Sequence, residues 1–236
     1  MTDRERFLAC ALGRPVGRPP YWLFWGPWGT TWQRWSREGR PEELKDYGLV
    51  RRHFGAEAPP ASVPVNCGPC PPFPRKVWQE NDTFVVFTDS WGIKRRDFKK
   101  HTSMAEFVEF PVASRADWER YKAERLDPAH PDRLAGPWRE RCAEWQARGV
   151  PVQLGYYPDV GIFGSVRWLL GDEEGLAAFR EDAELVHEIM EHMTGLYLTV
   201  FEQVAREVRA DVIHIWEDMC GRQGPLISPR DWEEFM

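Results

Sequence analysis

The chain has 236 residues, 42% of them hydrophobic, enough to bury a substantial core, and it carries a net charge of −6. That balance supplies no basic field for nucleic acid or an anionic membrane surface. No apolar run approaches the roughly 18 residues of a membrane span, and the N-terminus Met1-Thr-Asp-Arg-Glu-Arg lacks a signal-peptide core.

The first expected element is a helix from Thr2 to Leu12, with Thr2 and Glu5 as a capping box and Gly13 and Pro15 as its stop. Arg18-Pro-Pro-Tyr-Trp-Leu-Phe-Trp reads as a buried strand. Gly26, Pro27 and Gly29 break the chain before a Trp32–Trp35 segment, and Pro41 to Phe54 reads as a helix closed by Gly55. Ala58 to Pro74, rich in Pro and Gly and without a period, reads as a loop.

Lys76 to Phe110 reads as a β-meander, with turns at Asn81-Asp82 and at Asp89-Ser-Trp-Gly. Ser114 caps a helix over Ala116 to Arg125, and Pro137 to Arg148 forms another that Gly149 stops. Pro151-Val-Gln-Leu-Gly is a short buried strand. A helix from Ile162 to Leu170 closes at Gly171, and Asp172 starts the next. A long helix over Asp182 to Val208 carries Leu185, Ile189, Leu196, Val200 and Val204 on one stripe.

The chain then runs as a strand from Val212 to Trp216, meets Glu217 and Asp218, crosses a Gly/Pro loop, and opens a helix at Ser228-Pro229. Ser228 to Met236 has a helix start and no stop, so residues 1–236 read as the N-terminal part of one larger domain. From Pro151 onward strands and helices alternate, which argues for parallel βα units. Such sheets build their sites where strands deliver charged groups at their C-terminal tips.

Several constellations carry chemistry, each with a structural alternative. Asp89 sits in a turn that its own side chain could organise. Glu217 and Asp218 alternate across a strand, so at most one is expected to line a pocket. Arg167, near a helix start, could hold a carboxylate bidentately or simply lie on the surface. Thirteen tryptophans, with Trp22, Trp25, Trp28, Trp32 and Trp35 near the front, could line a pocket for a flat ligand or fill a core.

Cys67-Gly-Pro-Cys70 has the four residues of a thioredoxin redox motif. Pro71, Pro72 and Pro74 follow, which argues against a helix starting at the motif to activate a thiol, so it reads as a structural loop. His187 and His192 stand about 140° apart on a helix and cannot share one metal. His214 reads as a strand-wall residue. Five scattered cysteines form no disulfide framework, and a cytoplasmic protein is expected.

The ordered set of segments resembles the uroporphyrinogen decarboxylase superfamily. Thr2-Asp-Arg-Glu-Arg-Phe-Leu-Ala-Cys-Ala-Leu-Gly followed by Arg18-Pro-Pro is similar to that family's opening helix. Pro20-Tyr-Trp-Leu resembles its first strand, and Phe87-Thr-Asp-Ser-Trp-Gly its Phe-Ser-Asp segment. Gly161-Ile-Phe-Gly-Ser-Val-Arg-Trp-Leu-Leu-Gly and Ile215-Trp-Glu-Asp-Met-Cys-Gly with Ser228-Pro-Arg-Asp-Trp-Glu-Glu-Phe resemble later strand and helix starts.

The resemblance implies an α/β fold, a TIM (β/α)8 barrel of which about the first half is present. It implies a carboxy-lyase that removes carboxylate from acetate side chains of a tetrapyrrole, without a cofactor or metal. Asp89 would be catalytic, facing the pyrrole nitrogens, and Trp22, Trp25, Arg167, Glu217 and Asp218 would bind substrate. The acids ending the strands would converge on one mouth opposite a wall of rings.

The departures are specific. Trp25 and Gly29 stand where the family's two arginines would, Arg167 stands for its tyrosine, and Asp218 for its serine. An alternative is the corrinoid-dependent methyltransferase branch, whose zinc ligands would lie beyond Met236. A third is a non-catalytic tetrapyrrole-binding protein or an inactive fragment. Small-molecule binding is expected without nucleic acid or membrane partners, and an open half-barrel edge invites association, including a homodimer.

Overall fold

The computed structural model describes residues 1–23, 26–100 and 104–236. The fold is mixed α/β. Its centre is an open three-stranded parallel sheet in the order β1 (Ala61–Ser62), β6 (Val152–Leu154), β7 (Val212–Ile213). Ala61 pairs with Val152, and Gln153 with Val212. A four-stranded antiparallel meander lies between β1 and β6 in the chain: β2 (Lys76–Glu80), β3 (Phe84–Thr88), β4 (Lys94–Phe98) and β5 (Glu106–Glu109).

The start signals act locally. The Thr2 hydroxyl accepts from the Glu5 amide while the Glu5 carboxylate accepts from the Thr2 amide, which opens α1 (Asp3–Ala11). In the chain α2 (Gly29–Arg37) follows α1, Ser114 caps α4 (Arg115–Arg125) through the Asp117 amide, and α5 (Trp138–Ala147) comes after it. Asn81 Oδ1 accepts from the amides of Thr83 and Phe84 and so closes the first hairpin of the meander.

Between β6 and β7 run α6 (Ile162–Leu170), α7 (Asp172–Glu181) and α8 (Ala183–Ala205). The α8 stripe of Leu185, Ile189, Leu196, Val200 and Val204 is buried. It joins Phe163, Val166 and Leu169 of α6 in one core with Val152 and Leu154 of β6. A short hairpin, β8 (Cys220–Gly221) with β9 (Gly224–Pro225), precedes the last helix, which Ser228 and Asp231 open as a second capping box. No helix among the described residues is long and apolar enough to cross a membrane.

Four expectations are corrected. Residues 18–23 form no strand: two prolines remove donors, and the segment is pinned by Glu57, which accepts the Tyr21 amide and pairs with Arg6 and Arg18. The helix expected from Pro41 shrinks to α3 (Tyr47–His53), because the Asp46 side chain caps it at the Leu49 amide. The stretch read as a loop, 58–74, contains β1 and buries Val63, Val65, Cys67 and Cys70. The terminal strand pairs as β7 only over Val212–Ile213, although His214 still donates to the Leu154 carbonyl and Trp216 to that of Val160. The outer edge of β7 has no strand partner among the described residues, and Ile213 and Ile215 are exposed beside it.

Candidate functional site

The site is assembled where the chain leaves β7 and meets the first turn of α6. A Cβ at Gly161 would lie 2.1 Å from the Trp216 carbonyl oxygen, and one at Gly164 would lie 2.9 Å from it. Only glycine lets the strand tip seat this deeply against the helix. The seating aims Glu217 at the open end of α6, where its carboxylate accepts the amides of Ile162 (2.8 Å) and Gly164 (2.9 Å). An acid at a helix N-terminus satisfies orphan donors and faces the positive end of the dipole. Burial pushes the Glu217 carboxyl upward against those hydrogen bonds.

The two acids turn to different sides of the strand tip, but the expectation that at most one lines a pocket is corrected, because both border the same cavity. Glu217 turns inward and Asp218 outward, its side chain 54% exposed. Asp218 takes the left-handed backbone region at φ 46°, where aspartate is tolerated better than most residues. Arg167 comes up from α6 beside it. Its Nε donates to Asp172 at 2.7 Å, its Nη1 donates to the Asp218 carbonyl at 3.0 Å, and the Asp218 carboxylate lies 4.0 Å away. Its Nη2 makes no hydrogen bond among the described residues.

Arg167, Glu217 and Asp218 line one small cavity of about 100 Å³. Its walls are aromatic. Tyr157 meets Trp216 edge-on at 4.8 Å, and Phe107 meets Trp168 in the same way at 5.4 Å. These rings come from the meander, the loop after β6, α6 and the β7 tip, so no local spacing announces them. Burial, then the nearby Asp218 charge, pushes the Tyr157 phenol upward.

The remaining expected site residues fall elsewhere. Asp89 Oδ1 accepts the amides of Trp91 (2.9 Å) and Ile93 (3.0 Å), the turn-forming alternative noted for it. It does not line the aromatic cavity; its Oδ2 lies 3.8 Å from Arg95, whose guanidinium reaches over the cavity wall at Phe107. Burial pushes the Asp89 carboxyl up, with the two turn amides opposing. Trp22 packs on Phe7 of α1 at 5.2 Å rather than lining this cavity. Trp25 lies outside the described residues.

A second, larger cavity of about 370 Å³ opens beside the first, at the C-terminal ends of β1 and β6. Tyr156 faces it, whereas its neighbour Tyr157 lines the aromatic cavity. Arg133, Asp132 and Asp159 also line it, and none of them was marked by the sequence pattern.

Cys67 and Cys70 are buried free thiols, and burial pushes Cys67 up to about 12. That is the reverse of an activated redox pair. His187 stacks on Phe235, while His192 hydrogen-bonds the Leu126 carbonyl, so the two point to different neighbours. His192 is half-buried against Trp118. No group of three or more metal-ligating side chains gathers among the described residues. Comparisons of the chain with protein-family models, with curated proteins and with solved structures find no match.

Proposed function

We propose that the aromatic cavity is part of the active site of a small-molecule carboxy-lyase of the uroporphyrinogen decarboxylase type, built on the opening strands of a (β/α)8 barrel. The observation that carries this reading is the uncommitted Nη2 edge of Arg167 on the wall of a ring-lined cavity at the C-terminal end of a parallel sheet. A guanidinium in that setting suits a carboxylate attached to a flat ring. At about 100 Å³ the cavity takes one acetate arm and a ring edge, with the rest of the macrocycle lying across the mouth.

In this reading Arg167 holds one substrate carboxylate and orients the ring against Trp216 and Tyr157. Protonation of the pyrrole carbon makes the ring an electron sink. The C–C bonding pair then flows into it as carbon dioxide departs; the methylene carbon takes a proton to become methyl while the ring carbon gives up the proton it had gained, so one proton is consumed overall. Asp218, outward-facing on the rim, opposes the positive charge that develops on the ring. Asp89 acts one step away, as a positioning residue for Arg95. Glu217 is likewise a positioning residue, because it fixes the α6 turn that carries Arg167.

Anaerobic incubation of the protein with uroporphyrinogen, followed by chromatography for coproporphyrinogen, tests the reading. Turnover that falls at least tenfold in Arg167→Gln, chiefly through KM, supports it. Absence of both turnover and uroporphyrin binding overturns it. Binding without turnover would move the chain to the non-catalytic tetrapyrrole-binding class. Demethylation of a methylated corrinoid in the presence of zinc would move it to methyl transfer, the alternative that Trp25 and Gly29 favour by standing where arginines are expected.

A further inference from the structure

The larger cavity is charged in an unusual way. Arg133, in the short 3-10 turn Pro131–Leu134, is 1% exposed and, among the described residues, has no carboxylate within salt-bridge distance. Among the described residues its donors go to main chain only: Nε to Asp127, Nη1 to Asn66 and Gly68, Nη2 to Arg125. Four of its five N–H groups are thereby used and its positive charge is left without a counter-ion. A buried charge in that state is unfavourable unless something compensates it.

The same cavity carries the opposite deficit. Asp159 accepts the Trp91 indole N–H at 3.0 Å and lies against the Tyr156 hydroxyl, but among the described residues no cation pairs with it. Asp132 at the rim likewise has no ion-pair partner among the described residues. Positive and negative groups therefore line one space without meeting each other. A ligand carrying both charges would satisfy both sides, and a singly charged one would be opposed by the other side. Trp91 and Tyr156 add ring surface that favours an ammonium group. The volume of about 370 Å³ sits at the small end of small-molecule sites, roughly 300–1,000 Å³.

We propose that this cavity is a binding site for a free α-amino acid, with the ligand carboxylate directed to Arg133 and its ammonium to Asp159 and Asp132. The site is separate from the aromatic cavity, so its fate does not depend on the lyase reading.

Isothermal titration of the protein with each of the twenty L-amino acids tests it, with propionate and ethylamine as carboxylate-only and ammonium-only controls. At least one amino acid should bind with Kd of about 1 mM or tighter, and both controls at least tenfold more weakly. Arg133 ties three stretches of chain together, so its replacement risks unfolding. Asp159→Asn is the informative variant: it should lose at least tenfold in amino-acid affinity while melting within a few degrees of the parent. Arg167→Gln should bind amino acids unchanged. The proposal fails if no amino acid binds, if propionate or ethylamine binds as tightly as the best amino acid, or if Asp159→Asn binds normally.

Discussion

Replacing Gly161 by alanine would place a methyl carbon 2.1 Å from the Trp216 carbonyl oxygen and 3.2 Å from its carbon. The oxygen contact is about 1 Å inside van der Waals range. Its partner is backbone, held by the hydrogen bond that the Trp216 amide donates to the Val160 carbonyl, so no flexible side chain can swing away. The strand tip must retreat from α6, and the Glu217 carboxylate then loses the amides of Ile162 and Gly164. Overpacking costs about 1–3 kcal/mol, and each hydrogen bond to a charged group contributes about 1.5–3 kcal/mol. Partial relaxation leaves an expected loss of about 3–5 kcal/mol, a large share of an ordinary domain's stability. Urea unfolding followed by far-ultraviolet circular dichroism measures it, and near-ultraviolet signal reports the Tyr157–Trp216 contact. Gly195→Ala on α8, where an added Cβ meets nothing within 4 Å, is the control and should stabilise by about 0.5–1 kcal/mol. A Gly161→Ala protein within about 1 kcal/mol of the parent would refute the seating argument.

Asp89→Ala should lose about 2–3 kcal/mol, since two turn amides lose their acceptor; Asp89→Asn, which keeps Oδ1, should lose under about 1 kcal/mol by the same urea assay. If Asp89→Asn is stable yet loses more than about a hundredfold in turnover, Asp89 returns to a catalytic role. Glu188 is held down to about 2 chiefly by its hydrogen bond to Lys122. A carboxyl lowered on folding stabilises above its unfolded value and loses that contribution as pH falls through the folded one. Thermal melts should therefore weaken between about pH 4.5 and pH 2, and Glu188→Gln should flatten that slope. With a thiol reagent at pH 8, the exposed Cys10 and Cys220 should react quickly, while Cys67, Cys70 and Cys142 wait for unfolding.

Much of the local architecture was legible because its signals act over three or four residues. The capping box at Thr2, the helix start at Ser228-Pro229, the Asn81 turn and the α8 stripe need no partner from afar. β1 was not legible, since a two-residue parallel strand between prolines carries no alternation and owes its existence to pairing with β6, about 90 residues later. The candidate site divides in the same way. The Glu217–Asp218 tip and Arg167 could be picked out by type and position. The destination of the Glu217 carboxylate depends on a helix 53 to 55 residues away, which no motif states. Asp89 shows the reverse, for its turn chemistry was plain in Asp-Ser-Trp-Gly and the resemblance drew attention to a role that its Oδ1 bonds now compete with.

Arg133 fastens the 66–68 and 125–127 segments through a group that stays protonated across the whole physiological range. A histidine or carboxylate in its place would make the fastening come and go with acidity. With guanidinium, the hold on the loop bearing Cys67 and Cys70 is indifferent to pH. A lysine, with three donors and no planar fork, could not reproduce it.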